Sequence, residues 1–487
     1  MNTALVLLLA AIAVSCILCI AIRRNAIVSA VMPACTFVLM VLCMVLCIPV
    51  LGGEKIDDGI FWMDPLSAVF MMLVAVVGFV ASVYSRAYIS MDLREHEIDL
   101  REHSVYYPLL MVFISVMMLT FTARSMAVVW LGVGATTLVS TFLVGLYRRE
   151  ESTEAAWKYI ILCSVGITIA LFGLTLVYAS TVGVIDSGKA LDWPQLMMHA
   201  SELDPNMMRM ATLLIIIGFG TKVGFVPMHT WLPDAHSQAP SPISGLLSAV
   251  LLNCAMYAVL RFYGVSELVD PGFASTILLI FGFVSLAAAS LFIISAKDLK
   301  RMLAYSSIEN MGLIAIGLGI GTHAAIAAAL IQMTAHSITK PILFFSAGNI
   351  IQAYGTRSMS KIRGVRKTMP FTSVAMAAGT LAIIGCPPFA VFVGELSIMI
   401  GALDAGMVAA VVLMVILLSM VFAGMVRNIF PMLSGEAPEG VRDLREPSRV
   451  VPIAALLVLT LALGLFMPDT VADWFSDAAS VVEGVFL

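Results

Sequence analysis

The sequence predicts an all-α, polytopic membrane fold of about 14 transmembrane helices, and three observations carry that expectation. First, 61% of the 487 residues are hydrophobic and only 12% are charged, against about 25% charged in soluble domains. No water-soluble fold can hide that much apolar surface, so the bilayer is the solvent. Second, apolar stretches of about 20 residues, the length that spans a hydrocarbon core, recur from end to end. They do not alternate polar and apolar residues as barrel strands would, so only helices fit. Third, the lysines and arginines fall unevenly between alternate loops.

In order, the expected spans lie near 3–22, 27–50, 64–88, 105–122, 126–147, 156–181, 209–230, 240–264, 273–295, 302–321, 323–353, 370–402, 405–427 and 450–468. Two of them are long and interrupted. The first run has no basic stretch before it and is followed by Arg23-Arg24, so it reads as a retained helix rather than a cleaved signal. With the Arg23-Arg24 loop taken as cytoplasmic and sides alternating, twenty of the 27 lysines and arginines collect on the cytoplasmic side. They include Arg94, Arg149, Lys300, Arg301, Lys367 and Arg449. Lys55, Arg124, Lys189, Arg209 and Arg261 fall outside. A miscounted helix would scramble this split, so both termini are expected on the outer side of a prokaryotic inner membrane.

Several chemistries are excluded. The net charge is −4 and no basic arm is present, so nucleic-acid binding is set aside. All eight cysteines lie inside apolar runs, where cysteine behaves as a small hydrophobe. Cys16 and Cys19 form a C-x-x-C without a second pair or a histidine nearby, so no metal is expected. Iron–sulfur clusters need several thiolates in one place, so any redox centre belongs to a partner. No cofactor and no catalytic centre of the chain's own are expected. The 32 methionines read as apolar fill.

Function is therefore sought in charges inside apolar runs, where insertion costs at least roughly 2.5–3.5 kcal/mol each. Lys222, Lys340, Asp64, Glu309 and Glu395 meet that description. Lys222 sits in Gly218-Phe-Gly-Thr-Lys222-Val-Gly-Phe-Val-Pro227-Met-His229-Thr-Trp231-Leu-Pro233-Asp234-Ala-His236. Prolines five and eleven residues later break the helix, which frees carbonyls and admits water. Lysine suits a proton relay because burial brings an amine's proton affinity toward the neutral range. The plainer alternative is a lysine snorkelling from a helix end. His229 reads as a relay or as a packing and capping group.

His336 and Lys340, in His336-Ser-Ile-Thr-Lys340-Pro341, stand at i and i+4 on one helical face, so a proton could pass between them. In Gly385-Cys-Pro-Pro-Phe389-Ala-Val-Phe-Val-Gly-Glu395, a Pro-Pro break precedes a carboxylate by two turns. Breaks at 227 and 387 suggest two corresponding halves. Glu309 lies about two turns into the helix that starts at Lys297-Asp-Leu-Lys300-Arg301, and it either guides protons or only packs. The basic group before it reads as a topology anchor. Asp64-Pro65 reads as a helix start with Asp64 as the cap.

Taken together these segments resemble the antiporter-like proton-channel membrane subunits of complex I, Mrp antiporters and energy-converting hydrogenases. The resemblance runs over nearly the whole chain. It is carried most specifically by Lys222 to Pro240, Lys300-Arg-Met-Leu-Ala-Tyr-Ser-Ser307 and His336-Ser-Ile-Thr-Lys-Pro-Ile-Leu-Phe-Phe-Ser-Ala-Gly-Asn349. Ala135-Thr-Thr-Leu-Val-Ser140 looks most like the hydrogenase-4 component F branch, found with formate hydrogenlyase-type complexes. The resemblance implies one membrane domain (1–487) with two inverted five-helix repeats, helices 4–8 (105–264) and 9–13 (273–427). Residues 1–90 and 450–468 flank them, and helices 7 and 12 are broken. It also implies a hydrated axis of Lys222, His336, Lys340 and Glu395. Two positions depart from the pattern. Gly134 stands where the family has a glutamate that pairs with the helix-7 lysine, and Asn253 stands where many relatives have a lysine on helix 8. Asn can orient water but cannot carry a proton as an acid.

The expectation is a proton-translocating subunit that couples a partner's electron transfer to ion movement, assembled with other membrane subunits and a peripheral redox arm. The alternatives are an Mrp-type cation/proton antiporter subunit and a non-conducting membrane scaffold.

Overall fold

The computed structural model describes residues 3–22 and 25–485, and is helical almost throughout. Arg23 and Arg24, which anchor the expected topology, lie outside the described residues. The first six helices are α1 (Thr3–Ala21), α2 (Asn25–Leu51), α3 (Pro65–Arg94), α4 (Leu100–Thr120), α5 (Met126–Val144) and α6 (Glu150–Ser180). A two-residue hairpin, Ile56–Asp57 against Trp62–Met63, precedes α3. Asp64 caps α3, accepting from the Ser67 amide at 3.0 Å with Pro65 in the first turn, as the Asp-Pro pair predicts.

The seventh expected span is broken. Helix α7 (Pro205–Val223) stops at Gly224, and α8 (Trp231–Gln238) resumes beyond Pro227. Helix α9 (Ser241–Val269) contains a π turn at Leu247–Leu251, which no periodicity in the sequence foretells. Then follow α10 (Phe273–Ser295), α11 (Leu299–Ile320) and α12 (His323–Tyr354). The 32 residues of α12 run unbroken through Pro341, because one lost hydrogen bond does not outweigh packing on every side. The expected span at 370–402 is the second broken one, divided into α13 (Pro370–Ile383) and α14 (Ala390–Asp404). Last come α15 (Val408–Leu433), α16 (Pro447–Leu465) and α17 (Asp469–Val482).

Twelve of the described segments are long and apolar enough to cross a membrane. Helix α12 and the broken pair α13–α14 are the remaining two of the fourteen expected segments. Helix α17 is amphipathic. It lays Phe475, Ala478, Ala479, Val481 and Val482 against α3, α9 and α12, and His323 contacts Glu483 and Ser476 at 2.7 and 2.9 Å.

Burial divides the helices into two groups. The apolar window of α9 is 100% buried and that of α11 is 89% buried, against 28% for α1, α15 and α16. The outer helices present apolar side chains such as Ile17, Val45 and Val458 to their surroundings, as lipid contact requires. The inner helices are the ones that carry polar residues.

Candidate functional site

Lys222 ends α7 one residue before Val223 and is fully buried. Its ammonium donates to the Val133 carbonyl at 2.5 Å, to Thr136 Oγ1 at 2.6 Å and to Thr137 Oγ1 at 2.5 Å. An ammonium has three N–H donors, so α5 meets each one with a neutral oxygen. Gly134 lies between these acceptors and opens a notch of about 280 Å³ between α5 and α6, which Thr137 also lines. A Cβ at Gly134 would meet only Ile167 Cγ2, at 3.7 Å, so the position has room for a side chain it lacks. The Trp231 indole donates to the Thr221 carbonyl at 2.8 Å, which ties α8 back to the end of α7 across the break.

His229 is not brought to Lys222. It sits in the break, stacked on Phe292 at 5.7 Å, with Nδ1 unpartnered. Asn253, on α9, donates to Ser337 Oγ at 2.5 Å. One turn of α12 holds His336, whose Nε2 meets the Ser248 carbonyl of the π turn at 3.3 Å, and Lys340. Lys340 donates to the Leu303 carbonyl at 2.8 Å and to Ser306 Oγ at 2.6 Å. Both of these acceptors lie on α11, which also carries Glu309. Glu309 accepts from Asn310 Nδ2 at 2.5 Å, and its other oxygen has no partner. Gln332 donates to Asn310 Oδ1 at 2.8 Å and packs against the backbone of Gly394. Glu395 follows, with one carboxylate oxygen unpartnered.

The broken helix makes the Glu395 site possible. Gly385 has φ +69°, and a Cβ there would lie 1.9 Å from the carboxylate. The turn therefore needs glycine both for its conformation and for the space the carboxylate fills. Asn253, His336, Lys340, Glu309 and Glu395 thus form one buried polar row from α9 to α14 that ends at one helix break, and Lys222, caged by α5, stands at the other.

Sequence reasoning missed several buried polar groups. Arg261, Lys300 and Arg449 were counted as flanking charges but are only 2%, 3% and 0% exposed. Burial corrects the anchor reading of Lys300 and sets Arg261 and Arg449 among the buried charges. Arg261 is locked bidentate to Asp64, at 2.7 and 2.8 Å. Arg449 donates to Asn349 Oδ1 at 2.8 Å and to the Ala87 carbonyl at 3.2 Å, and Lys300 donates to the Ala239 carbonyl. Asp64 is therefore both a cap and half of a buried ion pair. Thr136, Thr137, Asn310 and Gln332 carry no charge, and their only sequence signal is polarity inside an apolar run.

A many-helix membrane protein whose inner helices enclose a row of ionisable side chains between two helix breaks defines a class, that of ion-handling polytopic membrane proteins. Similarity to known proteins narrows it. Residues 123–421 match the family model described as NADH:quinone oxidoreductase/Mrp antiporter, TM. Residues 59–96 match that of the NADH-Ubiquinone oxidoreductase (complex I), chain 5 N-terminus. The chain belongs to this NADH:quinone oxidoreductase/Mrp antiporter family. It is 34% identical to a hydrogenase-4 component F homolog of Methylacidiphilum infernorum, over 88% of this chain and 90% of that protein. It is 30% identical to the NADH-quinone oxidoreductase subunit N of Desulforudis audaxviator, over 84% of this chain and 82% of that one. Among solved structures, the fold matches a chain of the membrane-bound sulfane sulfur reductase, an archaeal respiratory membrane complex, with TM-score 0.88 and 23% identity over 98% and 97% of the chains. It also matches a chain of the Mrp complex from a Dietzia species, with TM-score 0.86 and 21% identity over 99% and 98%.

Proposed function

We propose that this chain is the proton-translocating membrane subunit of a hydrogenase-type or complex I-like redox complex, and that Lys222, His336, Lys340, Glu309 and Glu395 carry the proton, with Asn253 ordering water between them. The observation that carries the reading is the buried row itself. Its charged members face neutral oxygens or have spare hydrogen-bonding capacity, so either protonation state can be accommodated. Ionisable groups at such depth are costly and mark ion pathways. A partner's electron transfer would shift the pairing along the row. Each transfer is a proton moving from one named group or water to the next, so no redox chemistry is asked of this chain. The relative named for hydrogenase-4 favours the hydrogenase branch for the partner. We further read the chain as fourteen spans in two inverted five-helix repeats (105–264 and 273–427), set in a prokaryotic inner membrane with both termini outside. His229, in the break between α7 and α8, is read as a water-ordering group.

Gly134 favours a second reading, a non-conducting scaffold, because the position that would hold a counter-charge for Lys222 is empty. Ion pumping by inverted vesicles carrying the native complex separates the two when wild type is compared with Lys222→Met. Pumping lost, with the partner's redox reaction intact or slowed with it, is the expected result. Unchanged pumping would favour the scaffold. A sodium requirement in the same assay would point to the Mrp-type cation/proton antiporter instead.

A further inference from the structure

Where α3, α8 and α12 end, a cleft of about 340 Å³ opens at the protein surface. Asp92, Tyr147, Ser241, Lys300 and Gln352 line it, and none of them belongs to the row described above. Asp92 and Lys300 are each only 3% exposed, so the cleft reaches past the surface to two charges embedded in protein. Asp92 accepts from the Tyr147 hydroxyl at 2.7 Å and from Gln352 Nε2 at 2.6 Å. Lys300 donates to Ala239, at the joint between α8 and α9.

Polar atoms continue inward from the cleft. Ser241 is fully buried and its hydroxyl has no partner. Gly348 of α12 faces it, and a Cβ there would lie 2.8 Å from Ser241 Oγ and 2.8 Å from the Tyr84 hydroxyl. Four residues further along α9, a Cβ at Gly245 would lie 3.5 Å from Pro341 Cα. Four residues of helix rise about 6 Å, so about one turn separates the cleft wall from the level of Lys340. His236 packs on Phe344 of α12, one turn beyond Lys340, with ring centroids 5.8 Å apart. Its Nδ1 is 2.8 Å from the Leu232 carbonyl, which puts the hydrogen on Nδ1 and leaves Nε2 as a buried acceptor without a partner. The Ser346 hydroxyl of α12 is unpartnered too. Buried polar atoms without protein partners are where ordered water sits.

On the reading given under Proposed function, we propose that this cleft is where the buried row exchanges protons with one aqueous face. Asp92 takes the proton from water, and Ser241 and His236 pass it to or from Lys340. Inward, the proton on Asp92 passes through cleft water to Ser241, which restores the carboxylate; outward, it leaves Asp92 to the cleft. The Ser241 hydroxyl accepts one proton as it releases its own. His236 takes the proton on Nε2 and gives it to a neutral Lys340 amine. No electron moves, and no bond other than those to hydrogen changes.

The test uses inverted vesicles with the native complex. In Asp92→Asn, proton flux should fall at least about tenfold, as removal of a proton-transfer group does, while the redox reaction persists; Asp92→Glu should restore part of it. In Gln238→Cys, at the cleft wall, a membrane-impermeant cationic thiol reagent should block flux from one side only. The eight native cysteines are buried or half-buried and set the background. Full flux in Asp92→Asn and in labelled Gln238→Cys, with Lys222→Met inactive, overturns the cleft and leaves the row standing. Full flux in all three overturns the proton-pathway reading itself. Should Asp92→Asn fail to assemble, the labelled Gln238→Cys complex decides alone, and full flux with the label attached overturns the proposal.

Discussion

The molecule buries charge in two ways. Near one end of α3 and α9, Asp64 and Arg261 are joined by two charge-assisted hydrogen bonds. The guanidinium also donates to Ser67 and Tyr257 and lies over the Trp193 ring at 4.3 Å, while the carboxylate takes further bonds from Trp62 and the Ser67 amide. Both carboxylate oxygens and both terminal nitrogens of the guanidinium are engaged, so neither group can change state without leaving its partner stranded. At the first break and along the row to Glu395, Lys222 and Lys340 meet neutral oxygens, whereas Glu309, His336 and Glu395 each keep an unpartnered atom. A buried charge paired with an opposite charge fixes structure, and one that meets only neutral groups or keeps an unpartnered atom can exchange a proton. Burial alone does not separate the two; the partner set does.

The contrast is sharpest in stability. Arg261→Met leaves a bare carboxylate inside the protein and should cost about 3–5 kcal/mol. Of the substitutions proposed, it should lower the thermal midpoint of the detergent-solubilised protein the most. Pairing it with Asp64→Leu should recover much of that loss. Full loss in the double variant would mean that the pair has a role beyond holding α3 to α9. Lys222→Met, by contrast, leaves no bare charge behind, only neutral oxygens, and should cost less than Arg261→Met, though it should abolish pumping. A large loss would place Lys222 with the structural pair.

The smallest effect belongs to the exposed pair Arg209–Asp270, at 2.6 Å. Arg209 holds the Asp270 carboxyl below the usual carboxylate range through a hydrogen bond and its charge. A lowered carboxyl stabilises the fold above its unfolded value, and the contribution disappears as pH falls through the folded one. Solvent and salt screen it. Asp270→Asn should therefore leave the thermal midpoint unchanged within error at neutral pH and slightly flatten its decline in acid, read by thermal melts across the acid range.

How much of this was legible in the sequence depends on distance along the chain. The spans, both breaks and the charges at their centres are local patterns, and so Lys222, Lys340, Glu309 and Glu395 stood out. Arg261 looked like a loop charge because the residue that buries it, Asp64, lies 197 positions away. Lys300 and Arg449 sit within a turn or two of helix starts, where positive-inside counting expects solvated anchors. Helix α17 is short and half polar, so no span criterion finds it, and its place on α3, α9 and α12 follows from tertiary packing. The neutral cage around Lys222 was half legible. The missing glutamate at Gly134 could be read, but the hydroxyls that take its place could not.

The π turn at Leu247–Leu251 opens α9 where it meets α12. It carries one more residue per turn than the helix around it, and its widened backbone offers the Ser248 carbonyl to His336 and the Ala249 carbonyl to Ser337. Deleting one residue there would close the turn into regular α geometry with both flanking halves still in phase, and those two carbonyls would return to the helix ladder. The extra residue works like slack let into a cable, lending backbone to a neighbour without turning either end.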